Sequence, residues 1–399
     1  MRKYLTIILL SVLAAVSCLR LDQANPYEAD LQELSVRLLM PEGYDGADLS
    51  GVPVTLTDIN SDAGYEALSD ASGTARLSLP GGIYRATVGS LIADERFNAS
   101  KGGIILGGAP LSVDLQLRKS ASGDILIKEI YCGGCMKLPE EGAYHTDSYI
   151  ILHNNADHTV WLDSLCFGTL DPYNSNSAAV WDEDIEFSPV IQAVWQFPGE
   201  GKTYPLAPGE DAIVAVYGAI DHSAHYPLSV NLNRSDVFTC YSPTYFPNAT
   251  YHPAPGDKVS RDRFMNVVIK TGKSNAYTFS ISSPALIIFR AQGQTIQEFV
   301  SGSDNVINKP GSSYDRIVCV PNEWVIDGVE VFNGQSSTNN KRIGAAIDAS
   351  YITLSNVYEG KTLMRRVNES RTKQLGFEVL VDTNNSGYDF YERETQSLK

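Results

Sequence analysis

The stretch FPGEGKTYPLAPGEDAIVAVYGAIDHSAH, residues 197–225, decides how the rest of the chain is read. A PGEG turn leads into Tyr204-Pro205-Leu206, a second turn APGED follows, and an unbroken apolar run then occupies residues 212–217. Pro and Gly punctuate both turns, and so short an apolar run between turn signals predicts a buried strand rather than a helix. The polar tail Asp221-His222-x-x-His225 falls where the chain leaves the sheet. Moving outward, DILIKEI at 124–130, DSYIILHNN at 147–155 and VWLDSL at 160–165 read as further strands. Nearer the start the pattern alternates. Val52, Val54 and Leu56 share one face, as do Tyr84, Ala86 and Val88, and Leu111, Val113, Leu115 and Leu117. Period two places such residues on one side of a strand. Asp70 and Gly73 mark a tight turn, Asp by bonding its own backbone and Gly by tolerating positive φ. The reading is an all-β chain of two tandem β-sandwich domains, at 31–118 and 124–396. The second carries long insertions, and small residues at 119–123 link the two.

Bulk composition agrees. The chain has 399 residues, 43% hydrophobic and 20% charged, enough for two or three domains with a sizeable core. Twenty-one tyrosines and frequent Gly and Pro fit sheet better than helix. A formal charge of −16 argues against a nucleic-acid partner, whose phosphates need Lys and Arg to displace counterions. It also argues against adhesion to an anionic lipid surface by charge. Acidity of this kind keeps a secreted protein soluble.

The first residues set an address. Arg2 and Lys3 precede an apolar segment, 4–16, too short to span a bilayer, so residues 1–17 read as a signal peptide. Ala15-Val16-Ser17-Cys18 resembles the bacterial lipobox, which implies lipidation of Cys18 and a tether at 18–30. Several acyl chains there would hold the protein stably on a membrane. Leu19 and Arg20 follow Cys18 in place of the Asp that marks inner-membrane retention, so the expectation is the outer membrane, facing outward.

Residues 69–88, with Asp70, Gly73, Leu79, Gly82 and Tyr84, resemble the prealbumin-like, immunoglobulin-like β-sandwich of carboxypeptidase regulatory domains. That resemblance implies a spacer or binding appendage for 31–118. The order YIILHNN, VWLDSL, APGEDAIVAV resembles the lamin-tail domain, another sandwich. The second domain as a whole is more similar to a family of Bacteroidetes lipoproteins. The carrying residues are FPGEGKTYPLAPGEDAIVA at 197–215, AIDH at 219–222, VPNEWVIDGVEV at 320–331, RRV at 365–367 and DTNNSGYDF at 382–390. Members occur near genes for TonB-dependent outer-membrane receptors, which implies a role in uptake of iron or another metal-containing cargo.

Few constellations suggest chemistry. Asp221, His222 and His225, with His252 from a distant loop, are the candidate metal ligands, and a turn capped by Asp221 is the plainer alternative. Asp382-x-Asn384-x-Ser386-Gly387, with Asp389, matches the first half of a calcium loop, although Arg393 stands where the bidentate acid belongs. A hairpin held by Asx-turns competes with that reading. Cys132-Gly-Gly-Cys135 has redox or zinc spacing without the βαβ context or a second pair, so a local disulfide or two inert thiols are expected. The Pro- and aromatic-rich loop at 241–263 offers Tyr241, Tyr245, Phe246 and Tyr251 as a ligand-binding surface, or else packs down on itself. Trp161 and Trp195 lie within strand patterns and are expected in the core. No G-x-S-x-G elbow occurs, and no spacing fixes two carboxylates at glycosidase separation. The expected function is therefore ligand capture or receptor docking by a surface lipoprotein, not catalysis. A TonB-dependent receptor is the partner and a metal ion the cofactor to test. A structural or adhesive protein is the alternative, and a metal-dependent hydrolase the more distant one.

Overall fold

The computed structural model describes residues 31–44, 46–92, 95–182 and 185–399. Residues 1–17, Cys18 and the tether to residue 30 lie outside this range, as do Glu183 and Asp184.

Alternating residues build the first sandwich. Strands Thr74–Leu79, Gln32–Leu39 and Leu111–Gln116 form a three-stranded sheet. It faces a five-stranded sheet in the order Gly64–Leu68, Pro53–Asp58, Gly82–Ile92, Glu95–Leu106, Arg118–Ser120. Leu34, Val36, Val54, Leu56, Tyr84 and Phe97 are sealed between them. The turn at residue 70 forms as expected: Asp70 Oδ1 accepts from Ser72 N at 2.8 Å and Thr74 N at 3.1 Å, and Gly73 has φ +73°.

The second sandwich is larger. Its six-stranded sheet runs Val237–Thr239, Asp211–Ala215, Tyr149–Asn154, Ile125–Tyr131, Thr362–Arg365, Phe390–Arg393. Its eight-stranded partner is centred on Phe187–Gln196, Cys166–Leu170, Ala285–Phe289 and Val325–Asn333. Ile127, Ile150, Phe167, Trp195, Val214 and Ile288 fill the space between them. Both sheets are also covered outside. Tyr131, Ile151 and Ile213 pack under Val230 and Leu232, and Ile287 and Phe289 pack under Phe299 and Trp324. Burial on two faces is why the strand at Asp211–Ala215 reads as a continuous apolar run rather than an alternation.

Trp195 is fully buried as expected, but Trp161 is not. Its short strand, Val160–Trp161, pairs only with Pro205–Leu206 at the margin of the sandwich, so the indole is half exposed.

The family-like segments at 320–331, 365–367 and 382–390 converge on one buried guanidinium. Arg365 lies 2.6 Å from Asp327 and 3.5 Å from both Asp382 and Asp389, and its Nε donates to Ile127 O at 2.8 Å. Burial raises the Asp327 and Asp389 carboxyls above the ordinary carboxylate range. The 382–389 loop also joins the two sandwiches. Asn384 Nδ2 donates to Ser120 Oγ and to Ala121 O (3.1 Å), and Asn98 Nδ2 donates to Asn384 O at 3.1 Å.

Candidate functional site

The residues read from sequence as metal ligands are placed apart. His222 is buried, with Nδ1 2.5 Å from the Tyr144 hydroxyl and Nε2 donating to Gly218 O at 2.7 Å. Burial pushes it down to about 4, so the ring is neutral at pH 7 and neither nitrogen is open to a metal. Asp221 caps the following turn, accepting from Ala224 N at 3.2 Å and Ser223 Oγ at 2.5 Å. His225 is exposed, and His252 faces the Tyr277 backbone from inside the sandwich. The calcium-like loop is likewise turned inward. Asp382 and Asp389 face Arg365, Asn384 faces Ser120, and the Ser386 hydroxyl donates to Asp348 Oδ2 at 2.5 Å. The cation this loop surrounds is Arg365, and its oxygens do not meet at a common point.

Among the described residues, one group of metal-ligating side chains does crowd together: His153, Asp211 and Glu378. No spacing in the sequence joins them. Its cation is supplied by the chain itself, because Lys128 Nζ sits 2.6 Å from both Asp211 and Glu378. His153 meets Asp211 Oδ1 at 2.7 Å through Nδ1 and Glu378 O at 3.0 Å through Nε2, which uses both ring nitrogens.

Cys132 and Cys135 are buried free thiols, and burial pushes each up to about 12, which leaves little thiolate for redox or metal chemistry. The glycines between them serve packing. Gly134 has φ +72°, and a Cβ there would lie 2.1 Å from Tyr144 O. Gly133 O and Gly134 O accept from Tyr358 N (2.9 Å) and Gly360 N (3.0 Å). This close approach seats two loops side by side, and they carry His145 and Tyr358 to the surface.

There the loops meet a basin of aromatic side chains. His145, Tyr173, Asn174, Tyr217, Tyr251, Thr278, Ile281 and Ser282 line a cavity of ≈ 460 Å³. Ring centroids are 5.9 Å apart for Tyr217 and Tyr251, 6.1 Å for His145 and Tyr251, and 6.3 Å for His145 and Tyr358. Tyr217 is rigid: its hydroxyl accepts from Phe279 N at 2.7 Å and donates to Phe279 O at 3.1 Å. Burial lowers His145 and raises Tyr173, so both rings stay uncharged near neutral pH. Neutral aromatic walls with amide and hydroxyl groups beside them suit a ligand with a flat apolar face and polar edges.

The aromatic loop divides between two roles. Tyr251 reaches the basin. Phe246 is core, 5.6 Å from Trp195 and 5.9 Å from Tyr277. Tyr241 packs on Phe264 at 5.4 Å, and Tyr245 is exposed away from the basin lining. His145, Tyr173, Tyr217 and Tyr358 lie far apart in sequence, and only the abundance of tyrosine hinted at them.

Residues 207–397 match the family DUF4876, a protein of unknown function. The DUF4876 match includes Tyr217, Tyr251 and the Arg365 cluster. It omits His145, Tyr173 and the two central strands Ile125–Tyr131 and Tyr149–Asn154. The folded unit therefore begins well before the matched segment. The chain is similar to the crystal structure of a DUF4876 family protein from Bacteroides thetaiotaomicron VPI-5482. Identity is 24%, coverage is 90% of this chain and 94% of that one, and the TM-score is 0.58, a likeness of fold. Two others, a DUF3823 family protein from Parabacteroides merdae ATCC 43184 and a Bacteroides uniformis ATCC 8492 protein of inferred carbohydrate binding, share 12% and 9% identity. They cover 37% and 36% of this chain and 69% and 61% of their own, each with a TM-score of 0.18, too low to carry an argument. No curated protein matches the chain.

Proposed function

We propose that this protein is a surface binding protein that captures a ring-bearing ligand in the basin of Tyr173, Tyr251 and His145, which is backed by the buried Tyr217. The observation that carries the reading is that basin: uncharged aromatic walls, one tyrosine locked by two backbone bonds, and a cavity sized for a small ligand. The cargo classes to compare are neutral oligosaccharides and ferric catecholates, the second standing for iron-containing cargo.

The test is calorimetric titration of the soluble chain, with Cys18 replaced, against both classes. Tyr251→Ala should weaken binding about 10-fold, consistent with the ~0.5–1.5 kcal/mol of an aromatic contact. Unchanged affinity in a variant that melts like the wild type would contradict the proposal. We further propose that Cys18 is lipidated and that the protein docks beside a TonB-dependent receptor in the outer membrane. The lipobox-like ending of residues 15–18 and the family resemblance support this. Radiolabelled palmitate should enter the wild type and not Cys18→Ala, and affinity capture from those membranes should recover the receptor. An unlabelled wild type or an absent receptor would count against the respective part.

A further inference from the structure

A second cavity lies elsewhere on the second sandwich. It measures ≈ 530 Å³, and the linker 121–124, His158, Trp161, Gly201, Arg290, Val325 and Ile326 line it. It shares no residue with the tyrosine basin. Its chemistry is also different, because one wall is cationic.

Arg290 is half-buried. Its two Nη atoms donate to neutral acceptors only, Asp163 O at 3.1 Å and Trp161 O at 2.7 Å. Among the described residues no carboxylate oxygen pairs with it. The nearest acid, Asp163, spends its carboxylate on the N–H groups of Gly201 (3.0 Å), Thr203 (2.8 Å) and Tyr204 (2.9 Å). The guanidinium charge is met by backbone carbonyls and not by a paired carboxylate, and the N–H groups its two Nη atoms have left match a carboxylate. Lys202, exposed and next to the lining residue Gly201, holds its Nζ 6.0 Å from the Trp161 ring centroid and adds a second cation beside that ring. Trp161 offers a broad flat surface. Asp124 and His158, 3.7 Å apart, also line the cavity and offer hydrogen-bonding partners to hydroxyl groups.

We propose that this cleft is a second ligand site, specific for an acidic sugar: a uronate whose ring lies against Trp161 and whose carboxylate faces Arg290 and Lys202. The protein as a whole is strongly acidic. The site would therefore select anions by local geometry, and its affinity would fall as salt rises.

The experiment uses the soluble chain labelled with 15N. Its four tryptophans give four indole N–H signals, and Trp161→Phe identifies the one that matters. Digalacturonate should shift that signal saturably, and digalactose should bind at least 10-fold more weakly. Benzoate tests whether the sugar ring is needed. Lys202→Glu, an exposed change, should weaken digalacturonate at least threefold, and Arg290→Met at least tenfold. Tyr251→Ala should leave it unchanged. Equal binding of digalactose would overturn the carboxylate role, and benzoate as tight as digalacturonate would overturn the sugar role. An unmoved Trp161 signal, or loss of binding in Tyr251→Ala, would overturn the site. Should Arg290→Met unfold, Lys202→Glu decides the electrostatic part.

Discussion

His222 illustrates how the fold settles a residue that the sequence leaves open. Spaced from His225 by two positions, it has the look of a ligand. In the fold it is an internal strut between Tyr144 and Gly218. Its proton affinity is depressed to about 4 from an ordinary 6.5, so its contribution to stability is present above pH 6.5 and is lost as pH falls through 4. At about 1.36 kcal/mol per pKa unit, the full effect approaches ~3 kcal/mol. His222→Gln removes the titration. Urea unfolding of the two proteins should therefore show a stability gap that is widest above pH 6.5 and narrows towards pH 4. A gap constant with pH would mean that the ring does not titrate in this window.

At the scale of elements, the fold was legible where burial is simple. The run at 212–216 marks a strand covered on both faces, and the alternating Leu and Val residues of 31–117 mark strands covered on one. The helix at Glu369–Leu375 is not legible in the sequence. It is two turns long, and its signals are local only: Asn368 capping Arg371 N at 3.1 Å and Gly376 at φ +81°. The oxygens of the 382–390 segment suggest a calcium loop, yet its purpose depends on residues distant in sequence. Its Asp382 and Asp389 neutralise Arg365 together with Asp327 of the strand Val325–Asn333, and its Asn384 reaches the first sandwich. Removing the guanidinium leaves three carboxylates crowded without a counter-charge. Arg365→Met should cost about 3–5 kcal/mol in chemical denaturation, while the smaller change Asp327→Asn should cost less. Equal, minor losses for both would show that the cluster is not held by charge.

For the whole molecule, sandwich architecture is written in local patterns, but the tyrosine basin is not. Its walls come from residues 145, 173, 174, 217, 251, 278, 281 and 282, with Tyr358 beyond them, brought together by sheet order and by the tight Gly133-Gly134 passage. Such a surface has no periodicity and no motif, so only the packed chain reveals it. The same packing explains why the CGGC spacing misleads: its glycines are required for close approach, while its thiols are sealed away. Mass-spectrometric mapping of tyrosine nitration locates the ligand without assuming its identity. With whichever probe saturates, neutral oligosaccharide or ferric catecholate, Tyr251 and Tyr358 should be protected, while exposed Tyr314 and Tyr388 should react as before. Unaltered nitration at Tyr251 and Tyr358 under saturating probe would contradict capture in the basin.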